Sequence, residues 1–194
     1  MKQSLGAKNL IYPTPVLVVG SYHADGRPNV MTAAWGGIAC SKPPCVSVSL
    51  RAATATHGNI VARKAFTISL PNGAQVAAAD YFGLVSGRKV DKFAVTGLTP
   101  VRSELVDAPY VAEFALTVEC EVTAVHELGL HTQFICEIKD VKIDEACLDA
   151  DGHIDIGKLE PIAHAFEAGG YFALCALIGP ALSIGMVFVA DASL

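Results

Sequence analysis

A chain of 194 residues with a formal net charge of −5 has the size of one compact domain and lacks the clustered basic face that nucleic-acid binding calls for. Hydrophobic residues make up 52% and charged residues 17%, more apolar than a monomer of this size requires, so part of the apolar surface is expected to meet a second copy. Residues 1–8 carry Lys2 and Lys8 but no apolar run and no small-residue cleavage site, which predicts a cytoplasmic address.

In chain order, residues 15–20 form a short β-branched run, and the Asp25-Gly26 turn followed by residues 29–36 completes a predicted hairpin. Residues 45–50 follow Pro43-Pro44 with Val46, Val48 and Leu50 alternating, and residues 65–70 read as another apolar strand. Helices are predicted over 56–64, opened by a capping threonine, over the alanine-rich 73–81 after Asn72, and over 87–93. Residues 115–124 and 131–143 alternate as an antiparallel pair around Glu127-Leu128-Gly129, and residues 149–152 form a surface turn. Strands follow one another directly, which predicts a mainly β, antiparallel barrel with peripheral helices, one domain over residues 1–194.

Residues 171–189 contain no charged side chain, close to the ~20 residues that span a bilayer. Gly179-Pro180 and Gly185 interrupt the run and no basic cluster flanks it, so packing at a dimer interface is expected rather than a membrane anchor. Six cysteines form no CxxC pair; buried free thiols are expected, with no zinc or iron–sulfur site and no other metal.

Side chains alternate along a strand, so Asn29, Met31, Ala33 and Trp35 share one face, and Ser47, Ser49 and Arg51 share another opposite Val46, Val48 and Leu50. The serine–arginine row is read either as a solvated face or as one wall of an anion groove. Arg51 runs into Thr54 and Thr56 at a helix start, where free amides and the helix dipole favour an anion; the same threonines equally serve as caps. In the segment 86–92, Arg88 and Lys92 are predicted one helical turn apart, a solvated face or a second anion ligand. His131 and His164 are either donors to a bound ligand or structural histidines, whereas His57 and Asn59 are expected to face solvent. There is no GxGxxG, P-loop, GxSxG elbow or diagnostic carboxylate pair, so a phosphorylated, flat aromatic cofactor is expected to carry the chemistry rather than a catalytic side chain.

Tyr12-Pro13-Thr14-Pro15-Val16, the segment from Pro28 through Trp35 and that from Pro43 through Arg51 resemble the flavin reductase-like family, and within it the flavoredoxin branch. The likeness continues through Asp80-Tyr81-Phe82-Gly83, the segment from Ser86 through Phe93, Gly97-Leu98-Thr99-Pro100, Glu127-Leu128-Gly129 and Asp151-Gly152-His153-Ile154-Asp155. The resemblance implies an FMN-binding split barrel that forms a homodimer with each flavin near the subunit interface. It implies that Asn29, Met31, Thr32 and Trp35 lie along the isoalloxazine, that Ser49, Arg51, Thr54, Thr56 and Lys92 hold the phosphate, and that Ser86 and Gly87 shape that loop. His131, with His164 or Tyr171, would approach from the later part of the chain or from the other subunit. The implied activity is electron transfer through FMN to a partner protein, ferric iron or free flavin. The alternatives are an NAD(P)H-dependent flavin reductase using FMN as substrate or hydride relay, and a non-catalytic flavin or haem binding module.

Overall fold

The computed structural model describes residues 1–184 except Cys175 and Leu182. A short strand β1 (Thr14–Pro15) leads into β2 (Leu17–Tyr22), β3 (Pro28–Ala33), β4 (Gly36–Ser41) and β5 (Pro44–Arg51), and then helix α1 (Ala55–Arg63) and β6 (Ala65–Leu70). Helices α2 (Val76–Leu84) and α3 (Lys92–Thr96) and the small ribbon β7 (Pro100–Arg102) and β8 (Pro109–Val111) precede the long strands β9 (Leu116–Leu128) and β10 (His131–Ile143). The described part closes with α4 (Ile156–Leu159), β11 (Ile162–Ala165) and β12 (Gly170–Ala173).

The main sheet has the order β3-β2-β6-β9-β10-β5-β4, every neighbour antiparallel. Its interior is filled by Leu17, Val19, Val48, Leu50, Phe66 and Phe134 together with further buried side chains. The predicted alternation in β5 is what builds this wall, since Val46, Val48 and Leu50 are all buried while Arg51 is exposed. Val16, just before β2, and Val18 on it are buried too, packing with Val30, Phe82 and Phe93 beneath α2 and α3. Strands β2 and β3 are therefore covered on both faces, whereas β3 and β4 end the sheet and leave the barrel split between them.

Three elements differ from the sequence expectations. The run 29–36 breaks after Ala33, and a new strand, β4, begins at Gly36 and pairs with β5; it escaped notice because Gly36-Gly37 interrupts the apolar pattern. The helix expected over 73–81 is a 3₁₀ turn, Gly73–Gln75, held by a reciprocal Asn72–Gln75 capping box, which passes into α2. The helix expected over 87–93 is a turn followed by α3, because the Asp91 side chain accepts from Ala94 N and starts the helix there.

Cys45, Cys120, Cys136 and Cys147 are buried free thiols as expected, but Cys40 is exposed. Among the described residues no helix is long and apolar enough to cross a membrane. The charge-free run 171–189 is described only in part: it enters as β12, paired with β11, and continues through exposed Leu174, Leu177, Ile178 and Ile184, while its remainder lies outside the described residues.

Candidate functional site

Strand β5 delivers Arg51 to the mouth of the split barrel, and the chain turns at once into α1. The turn is closed by Thr54, whose amide and hydroxyl both donate to Arg51 O at 3.0 Å. The same hydroxyl accepts from His57 N at 3.2 Å, so Thr54 is the helix cap and Thr56 is not. Thr56 lies within the first turn and is fully buried; its Oγ1 accepts from Asn29 Nδ2 at 2.9 Å. His57 and Asn59 do not face solvent freely, since His57 Nε2 lies 2.9 Å from Thr132 Oγ1 and Asn59 Nδ2 donates to Ser21 Oγ at 3.0 Å. These bonds brace α1 against β2 and β10, so its first turn is held in place with its leading amides free of intrahelical partners.

The turn 86–90 is clipped onto this helix start. Arg88 donates through its two terminal nitrogens to Ala53 O at 2.9 Å and Thr54 O at 3.3 Å, which corrects the expectation that Arg88 and Lys92 share a helical face. Gly87 sits against Asn29, where any Cβ would overlap the Asn29 amide oxygen, so only glycine permits this approach. Lys92, on α3, is 3% exposed, and its Nζ donates to Val30 O and Phe82 O at 2.7 Å each. Burial pushes the Lys92 ammonium down to about 8.

Arg51, Thr54, Thr56, Ser86, Gly87 and Lys92 converge on a cavity of about 280 Å³. A second cavity of about 270 Å³ is lined by Met31, Thr32, Trp35, Ser49, Arg51 and His131, among others. Met31, Arg51, Thr54 and Gly83 line both, so the two are neighbouring chambers of one groove, in the size range of ~300–1,000 Å³ typical of cofactor sites. Among the described residues no carboxylate lines either chamber. One end is cationic and hydroxyl-rich beside a helix start, which suits a phosphate. The other end pairs the Trp35 and His131 rings, with centroids 4.5 Å apart and planes 41° from parallel, along the strand β3 whose outer edge has no ladder partner among the described residues. Amides and carbonyls on such an edge are free to read the polar rim of a flat ring, so the donor set fits a phosphorylated flavin.

The expected residues therefore divide. Met31, Thr32, Trp35, Ser49, Arg51, Thr54, Thr56, Ser86, Gly87, Lys92 and His131 line the groove, although the Thr32 hydroxyl is spent on Ala79 O of α2. Asn29 lines neither chamber; it stands behind the wall, joining Thr56 and Ser21. His164 and Tyr171 line neither chamber of this chain. They lie on β11 and β12 with rings 5.3 Å apart, and the Tyr171 hydroxyl donates to Asp80 Oδ1 at 2.8 Å. Gly83, at the end of α2, lines both chambers; the Asp80-Tyr81-Phe82-Gly83 motif marked the segment without assigning it a role. Asp149, Asp151 and His153 come together as an exposed group, but Asp149 Oδ1 already accepts from the amides of Asp151 and His153, a self-capped turn.

The sequence profile described as a flavin reductase like domain matches residues 9–174. The fold superposes on flavoredoxin of Desulfovibrio vulgaris (Miyazaki F) with a TM-score of 0.91 and 52% identity, covering 95% of this chain and 100% of that one. Among curated proteins, one from Aeropyrum pernix is 33% identical over 135 residues, 69% of this chain and 51% of its own length. The high molecular weight rubredoxin of Moorella thermoacetica is 33% identical over 105 residues, 53% of this chain and 44% of its own. The chain thus spans about half the length of these two relatives. A profile match over most of the chain, on an antiparallel split barrel with a flavin-compatible groove, establishes that the chain belongs to the flavin reductase-like family.

Proposed function

We propose that the chain holds FMN in this groove and works as an electron-transfer flavoprotein, handing electrons to a partner protein, a ferric acceptor or free flavin. The observation that carries the reading is the continuity of the two chambers: Arg51 and Thr54 border both the cationic end and the ring end, so one ligand with a phosphate and a flat ring fills both. When bound, FMN supplies the redox chemistry.

The chain's own residues bind and orient. Arg51, Thr56, Ser86 and the leading amides of α1 supply donors for the phosphate, Thr54 shapes the wall as the helix cap, and Lys92 adds a positive charge from behind while staying tied to Val30 O and Phe82 O. Met31, Trp35 and His131 supply soft and aromatic surface for the ring. Among the described residues no carboxylate or thiol lines the groove, and the chain's influence on the cofactor in this reading is electrostatic. The likeness to a flavoredoxin and to a protein named for rubredoxin supports an electron-carrier role over nicotinamide-driven turnover.

A homodimer is part of the proposal. Phe172, Leu174, Leu177 and Ile178 present a run of exposed apolar side chains, more than a monomer keeps in water, and a second copy covering them would bring His164 and Tyr171 toward the partner's groove.

The test is an anaerobic visible spectrum of the freshly purified protein, followed by NADH, NADPH and a low-potential donor in turn. A yellow spectrum bleached by the low-potential donor alone supports the carrier. Rapid bleaching by a nicotinamide converts the reading to a flavin reductase, and a protein that binds no added FMN overturns it. Sedimentation velocity checks the dimer.

A further inference from the structure

Outside the groove, one pair of groups stands in a reactive arrangement. Strands β4 and β5 form a tight hairpin in which Cys40 and Cys45 are direct cross-strand partners, next to the Ser41–Pro44 pair that flanks the turn. Directly opposed residues of an antiparallel pair have Cα atoms ~4.5–5.5 Å apart and project to the same side of the sheet, inside the ~4.4–6.8 Å window in which a disulfide closes. Both cysteines are free thiols. Their exposures differ: Cys40 is open to solvent and Cys45 is buried. The pair sits six residues up β5 from Arg51, ~20 Å at the rise of a strand, so it is separate from the flavin groove and does not depend on what fills it.

We propose that Cys40 and Cys45 are a dithiol site that reacts with low-molecular-weight disulfides such as oxidised glutathione, with Cys40 attacking and Cys45 resolving. The Cys40 thiolate attacks one sulfur of the external disulfide, its S–S bond breaks, and one molecule of thiol leaves. Cys45 then loses its proton and attacks Cys40 Sγ, expelling the second thiol and leaving an intramolecular Cys40–Cys45 bond. Two protein thiols and one disulfide become one protein disulfide and two small thiols, so the two electrons lost by the protein are gained by the reagent. The division of labour follows from the exposures, because only Cys40 is open to an incoming molecule, while Cys45 needs to reach no further than its cross-strand neighbour. Burial, then the neighbouring Cys40 charge and that of Glu137, raise the Cys45 thiol, so the closing step quickens as pH rises. The buried Cys120, which burial pushes up to about 12, and Cys136, which burial also raises, stay out of the reaction.

The experiment treats the intact protein anaerobically with oxidised glutathione, quenches with acid, alkylates remaining thiols and reads intact mass and peptide map. The expected wild-type product carries a cross-link between residues 40 and 45, two hydrogens lighter than the dithiol, and no glutathionyl group on either of these residues. Cys45→Ser is expected to retain one glutathionyl group on Cys40, and Cys40→Ser to take none at that hairpin; unchanged circular dichroism shows that both variants are folded. A wild type that keeps a stable glutathione adduct on Cys40 or Cys45, or keeps both of these thiols alkylatable, or a Cys40→Ser variant that still cross-links Cys45, overturns the proposal.

Discussion

The Trp35 indole and the His131 imidazole meet with ring centroids 4.5 Å apart, although 96 positions of sequence separate them. Strand β5 makes the meeting possible. His131 is the register partner of Arg51, and Ser49 N donates to Trp35 O at 2.8 Å just past the end of β3. The two rings thereby close the end of the groove opposite its cationic, hydroxyl-rich end.

Trp35 is the sole tryptophan, so addition of FMN to cofactor-free protein is expected to quench its emission in proportion to occupancy. Being 38% exposed, it is not a core residue, and Trp35→Ala is expected to cost well under the ~3–5 kcal/mol of truncating a buried aromatic side chain. Fluorescence titration checks the first point and urea unfolding the second. A full core-sized loss of stability would remove Trp35 from the ring site.

Arg51 is exposed and borders both chambers. Arg51→Ala is expected to weaken FMN binding by about tenfold to a hundredfold, the range of one charge-assisted hydrogen bond of ~1.5–3 kcal/mol, and to leave riboflavin, which has no phosphate, nearly unaffected. Isothermal titration with the two flavins gives the comparison; an equal loss for both would move Arg51 away from the phosphate.

Lys92 gives a pH signature. Its folded-state value, about 8, lies below the ~10.4 of an unfolded lysine, so between these values the unfolded chain binds more protons and stability rises with pH. Below about pH 8 both states are protonated and the contribution is flat. Bound phosphate raises the folded value and shrinks the window. Denaturant midpoints across this range, taken with and without FMN and as the difference from Lys92→Met, are expected to show the rise only in the cofactor-free wild type. Lys92→Met also leaves Val30 O and Phe82 O without their donor, at ~1–3 kcal/mol for each carbonyl.

Gly87→Ala is expected to damage both binding and folding. The added methyl overlaps the Asn29 amide, and relieving it separates the turn 86–90 from the start of α1, opening the phosphate end of the groove. Overpacking of this kind costs ~1–3 kcal/mol. A thermal melt and an FMN titration check it, and unchanged FMN affinity would show that the turn is not part of the cradle.

Short-range chemistry was legible from the residues alone. The alternation of Val46, Val48 and Leu50 against Ser47, Ser49 and Arg51 specified a strand with one apolar face, and a threonine after an arginine marked a helix start, because both patterns act over a few neighbouring residues. Which threonine caps that helix was not legible, since Thr54 and Thr56 are equally able to do so and only the bond from Asn29, brought from β3, commits Thr56 to the wall. Lys92 and Arg88 looked alike as exposed cations in a basic segment, yet the fold buries one beneath α2 and uses the other as a clip. The pairing of Trp35 with His131 and the cross-strand cysteines likewise depend on which strands become neighbours and in what register. Register is settled by burying a whole apolar face at once, a property of the assembled sheet, so tertiary structure alone decided where these side chains meet.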